Sequence, residues 1–116
     1  MTEIVYEAVE SYNEYLMKIP NGCQKIADNF RESKITEALN LIIYFTEGAN
    51  WLIEVSELLR KNSILVSLKT EKIHEYLKEI NQGLEIQDYI LVADMFEYEI
   101  GPFFEASTLI KVQQNQ

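Results

Sequence analysis

Apolar residues recur along this chain at steps of three and four, the period of a helix face. The densest run is Ile35 to Leu59, which holds no proline and a single glycine, Gly48. One stripe joins Ile35, Ala38, Ile42, Phe45, Ala49, Leu52, Ser56 and Leu59, and a second joins Leu41, Tyr44, Gly48, Trp51, Val55 and Leu58. Only a narrow wedge is polar: Thr36, Asn40, Glu47, Asn50, Glu54 and Glu57. A helix apolar on two sides is either central in its fold or shared with a partner. Glycine in a helix interior costs about 1 kcal/mol relative to alanine. Close approach of a second backbone at Gly48 would account for it.

Upstream, Val5, Val9, Tyr12, Leu16, Ile19, Cys23, Ile26 and Phe30 form one stripe behind Thr2, a fitting N-cap. Its phase survives Pro20, which predicts one long helix kinked at Pro20 and not two helices. The outer face, with Glu3, Glu7, Glu10, Glu14 and Lys18, belongs in solvent. Arg31–Ser33 reads as a short corner, with Ser33 capping the second helix. That helix ends near Arg60–Asn62, where basic side chains suit the dipole and Asn62 is a candidate left-handed cap. Residues 63–67 read as a packed connector, with Ser67 or Thr70 capping the third helix. Its stripe is Val66, Ile73, Leu77, Ile80 and Leu84.

Asp88 is the expected N-cap of the last helix, which again carries two stripes. One is Tyr89, Val92, Ala93, Phe96, Ile100, Phe103 and Ile110; the other is Leu91, Met95, Tyr98, Pro102, Ala106 and Leu109. The phase carries through Gly101–Pro102, so a kink at Pro102 is expected. The tail at 112–116 should fray. Four helices with brief links predict an all-α fold, an antiparallel up-down-up-down four-helix bundle forming one domain over 1–116.

Two of the four helices have more apolar surface than such a bundle hides, and exposed apolar patches mark interfaces. The candidate interface is Tyr44, Gly48, Trp51, Val55 and Leu58 on the second helix, with Leu91, Met95, Tyr98 and Leu109 on the last. A twofold homodimer is the simplest way to cover it. For Tyr44 and Trp51 taken singly, core packing is the preferred reading over an exposed hot spot.

Charge narrows the partners. Nineteen acidic residues face ten basic ones, a net charge of -9, which disfavours nucleic acid and anionic membranes and favours a basic protein. The plainer reading is a solvated surface. One cysteine excludes an intrachain disulfide and a cysteine metal cluster. It sits on the first helix's apolar stripe and reads as a small hydrophobe, not a nucleophile. The opening MTEIVYEAVE is acidic and lacks an apolar signal region, and no run is long enough to span a membrane. A cytoplasmic location is the expectation.

Chemistry is thinly represented. Glu71 and His74 form one E-x-x-H, but a di-iron bundle needs two and the chain has one histidine. Neither metal nor cofactor is expected. Glu47 with Glu54 on the second helix, and Asp94 with Glu97 on the last, would form a carboxylate cluster with raised pKa values if their polar wedges faced each other across a cleft. No Walker loop, dinucleotide fingerprint or zinc spacing is present.

The string Asp88-Tyr89-Ile90-Leu91-Val92-Ala93-Asp94-Met95-Phe96-Glu97-Tyr98-Glu99-Ile100-Gly101-Pro102 resembles the ending of small uncharacterised all-helical proteins of Gram-positive bacteria. Glu47-Gly48-Ala49-Asn50-Trp51-Leu52 is similar to their central Glu-Gly-x-x-Trp pattern. The resemblance rests on these 21 of the 116 residues; it implies a helical bundle and brings no catalytic residue with it. The leading expectation is a non-enzymatic protein-interaction module, homodimeric or partnered. The alternatives are an acidic chaperone or immunity-type protein masking a basic client, and a metal or small-ligand enzyme built on the carboxylates.

Overall fold

The first turn forms as its cap residue dictates: the Thr2 hydroxyl accepts the N–H of Val5 at 3.3 Å. From there a computed structural model describes residues 2–111, so the expectation for the tail at 112–116 lies outside the described residues. Helix α1 spans Glu3–Arg31, α2 Ile35–Lys61, α3 Thr70–Glu85 and α4 Tyr89–Met95. A π-helical turn, Phe96–Ile100, joins α4 directly to α5, Gly101–Glu105. No strand occurs among the described residues, and the fold is an all-α bundle.

At about 1.5 Å per residue, α1 is about 43 Å long, most of the 53 Å extent of a molecule 21 Å across. Pro20 lies inside α1, which is one continuous helix. All eight residues of its expected stripe are buried. Aromatic contacts tie the helices to one another. Tyr15 meets Trp51 across α1 and α2, Phe30 stacks on Tyr89, and Tyr76 of α3 meets Phe103. Phe45 of α2 reaches both Phe96 and Phe104 edge-on, at ring separations of 5.1 and 6.1 Å.

Each of the first three helices ends in a left-handed residue, and none of these is glycine: Ser33 (φ 62), Ser63 (φ 64) and Gln87 (φ 55). Ser33 therefore closes α1 and does not cap α2, whose N-cap is Lys34 without a side-chain bond. The left-handed residue after α2 is Ser63 and not Asn62. Asn62 instead turns its amide back to the carbonyl of Leu58 at 2.8 Å. The N-cap of α3 is Lys69, one residue before Thr70. Asp88 caps α4 as expected, accepting from the N–H of Leu91.

The connector between α2 and α3 is irregular and packed. Val66 and Leu68 are buried while Leu65 faces out. The Arg60 guanidinium donates to the carbonyls of Val66 and Leu68 at 3.2 and 2.6 Å, so this residue fastens the connector as well as suiting the helix dipole.

The last helix departs furthest from its pattern. Proline cannot donate a backbone N–H, and its ring clashes with the carbonyl one turn back. The chain meets this with a wide turn, in which the N–H of Gly101 bonds to the carbonyl of Phe96. The extra residue in that turn shifts the phase, so the inward position after Ile100 is Phe104 and not Phe103. The helix then stops at Glu105. Leu109 and Ile110 lie beyond it on an irregular segment, contrary to their expected place on a helical stripe. The Asn13 amide holds that segment against α1, donating to the carbonyl of Ile110 at 2.9 Å and accepting its N–H at 2.8 Å.

Candidate functional site

The nine candidate interface residues do not form one surface. Val55 and Met95 are buried, each turned into the core beside its exposed stripe neighbours. Tyr98, 66% exposed, lies under the Arg31 guanidinium at 5.9 Å from its ring centre. Leu91 and Leu109 are exposed at separate places. The α2 residues, by contrast, come together along the seam between α1 and α2.

Tyr44, Gly48 and Trp51 line one side of a cleft of about 580 Å³, with Ser11, Glu14, Tyr15 and Lys18 of α1 opposite. Toward the start of α1 the seam continues as a smaller hollow of about 380 Å³ walled by Ile4, Ala8, Trp51 and Leu58. Toward Ile26 and Leu41 a third hollow of about 180 Å³ extends it beyond Tyr44. All three are lined by α1 and α2 alone. From Ile4 to Ile26 the seam is about 33 Å long at about 1.5 Å per residue.

Its centre is built around Gly48. A β-carbon there would lie 1.5 Å from the Tyr15 hydroxyl oxygen and 2.1 Å from Cζ. The close approach foreseen at this glycine is thus made by a side chain and not by a second backbone. With its hydroxyl end against Gly48, the Tyr15 ring meets Trp51 edge-on, centroids 5.8 Å apart. Burial chiefly, then Cys23 and the Glu47 carboxylate, pushes the Tyr15 phenol above its ordinary range. Tyr44 stands beside this pair, 68% exposed, which corrects the core reading for that residue. Trp51 is half-buried.

Sequence reasoning missed the α1 side of the seam. The signal existed as a second stripe of mixed character, Ile4, Ala8, Ser11 and Tyr15, again at steps of three and four. Serine and alanine hid it.

The carboxylates do not converge. Glu47 and Glu54 rim the seam. Asp94 and Glu97 instead both bind Arg31, with the Asp94 contact at 2.7 Å. The Tyr98 hydroxyl first, then the Gln24 amide and the Arg31 guanidinium, holds the Glu97 carboxyl below its usual range, opposite to the raised value that acid–base work would need. Among the described residues no three His, Cys, Asp or Glu side chains gather as a metal site. Cys23 is 1% exposed, and burial pushes its thiol up to about 12.

A family described as a domain of unknown function, DUF8042, matches residues 7–109. The chain belongs to the DUF8042 family. The matched span takes in both walls of the central cleft and the Asn13 side chain, while Ile4 and Ile110 fall just outside it. No curated protein and no solved structure matches the chain. Among the described residues of this DUF8042 member, no helix is long and apolar enough to cross a membrane.

Proposed function

We propose that this protein is an interaction module that associates through the α1–α2 seam, with the cytoplasm of a Gram-positive bacterium as its setting. The setting rests on the family resemblance and on a lone cysteine. The observation that carries the reading is the aromatic centre of the seam: Tyr15 over Gly48, Trp51 at its edge and Tyr44 exposed beside it. Interface hot spots are built from such aromatic groups set in a partly desolvated hollow. A packed bundle gains little from leaving Tyr44, Leu58 and Ile4 in water along one seam. A second copy of the chain and a different protein are both occupants of the kind this surface suits.

The test uses Tyr44→Lys and Leu58→Lys, since both side chains are exposed and their replacement should leave the thermal unfolding curve unchanged. Wild type and variants are compared by sedimentation velocity and by affinity capture from cells. Loss of association in the seam variants, with folding intact, supports the reading. Equal association by wild type and both variants would refute it.

The alternative of an acidic chaperone or immunity-type protein masking a basic client draws on the same surface, because four carboxylates border it. The carboxylate-enzyme reading draws no support from the placement of Asp94 and Glu97 on Arg31, away from Glu47 and Glu54.

A further inference from the structure

The seam's rims are charged in register. Glu7 of α1 and Glu54 of α2 border one hollow, and Glu14 and Glu47 border the next. On each helix the two carboxylates are seven residues apart, which sets the tiers about 10.5 Å from each other along the axis. Between the tiers lies the apolar floor around Trp51. All four carboxylates are exposed, and among the described residues none of them makes an ion pair. Lys18, past the second tier, is the cation lining this floor.

We infer that the occupant of the seam is an amphipathic helix of a partner protein, with Lys or Arg flanking its apolar face at seven-residue spacing. A helix laid lengthwise fits a trough about 33 Å long (roughly 22 residues). Its apolar face covers Trp51 and Tyr44, and its flanking cations reach both rims of each tier. A second copy fits less well. A twofold pairing through this face sets the four carboxylates of one copy against four of the other, with one Lys18 from each to offset them, in chains of net charge -9. An anionic lipid surface meets the same repulsion.

This inference rests on the seam being an association surface, and the experiment separates the two. Trp51 is the sole tryptophan and lies in the floor, so its emission reports occupancy directly. The full chain is titrated with synthetic helical peptides of about 21 residues, three heptads long. One peptide has a leucine face flanked by lysines, a second the same face flanked by glutamates, and a third the lysine composition scrambled so that no face forms. The expected result is a saturable Trp51 shift with the lysine-flanked peptide and at least about tenfold weaker binding of the other two. A variant with Glu7, Glu14, Glu47 and Glu54 all replaced by Gln should lose about tenfold in affinity for the lysine-flanked peptide, and added salt should weaken the wild-type complex.

Equal binding of lysine- and glutamate-flanked peptides overturns the charge inference and leaves the seam reading standing. So does a wild-type dimer that Tyr44→Lys dissociates. Equal binding of the scrambled peptide reduces the effect to bulk charge attraction and overturns the inference. If no peptide moves Trp51 emission and Tyr44→Lys changes no association, the seam reading falls with it.

Discussion

Gly48→Ala tests the construction of the seam most directly. In an ordinary helix interior this exchange stabilises by about 1 kcal/mol. Here the new methyl would sit inside the Tyr15 ring, with Oη, Cζ and Cε2 at 1.5, 2.1 and 2.7 Å. A rotation of the hydroxyl does not relieve three ring-end contacts, so the whole ring must swing off α2. That loses the edge contact with Trp51, worth about 0.5–1.5 kcal/mol. It also re-exposes roughly half the ring, on the order of 1–2 kcal/mol at about 25 cal/mol per Å². Set against the helix-propensity gain, the net expectation is destabilisation of roughly 0.5–2.5 kcal/mol.

In a Tyr15→Ala background the obstruction is gone, and Gly48→Ala should stabilise by about 1 kcal/mol. The sign reversal is the diagnostic. A double-mutant cycle by urea unfolding, followed by far-UV circular dichroism and by Trp51 emission, should return a coupling of about 1.5–3.5 kcal/mol. A coupling below about 0.5 kcal/mol, within the scatter of independent sites, would mean that Tyr15 does not rest on Gly48, and the account of the cleft would fail.

Three further outcomes follow from the same packing. Ser56 is fully buried and its hydroxyl has no hydrogen-bond partner among the described residues, so Ser56→Ala should raise stability by about 1 kcal/mol, and a loss of that size would contradict the assignment. Cys23 should resist thiol reagents at pH 8 in the native state and react only on unfolding, because its thiol is enclosed and held at about 12; fast native labelling would count against its burial. Glu97 has a lowered folded-state pKa, so its contribution is present above the usual value of 4.5 and is withdrawn as pH falls through the folded value; Glu97→Gln should flatten the acid side of the stability curve, and an unchanged acid limb would discount the Tyr98, Gln24 and Arg31 contacts.

Legibility followed distance along the chain. The α1 stripe from Val5 to Phe30 could be read residue by residue, since burial of one helix face follows a local period and Pro20 does not disturb it. The bounds of α2 and the Asp88 cap were equally legible. The phase after Pro102 was not, because proline's missing donor can be met by a kink, a stop or a widened turn, and the last goes with Phe96 and Phe104 both packing on Phe45. Nor was the Asn13 clamp on Ile110, which joins residues 97 positions apart.

The candidate site divides the same way. Its α2 residues could be picked out from a second stripe, and Gly48 stood out as a costly choice needing a cause. The cause is Tyr15, on another helix, and periodicity within α2 holds no information about it. The same is true of the charged tiers. Glu7 and Glu14, or Glu47 and Glu54, are unremarkable as solvent-facing residues on their own helices; they become paired rims only when the antiparallel register of α1 and α2 brings 7 opposite 54 and 14 opposite 47. A linear pattern determines which side of a helix is oily, because that depends on neighbours three and four residues away. Which helices share a seam, and what is left uncovered along it, depends on contacts that only the folded chain makes.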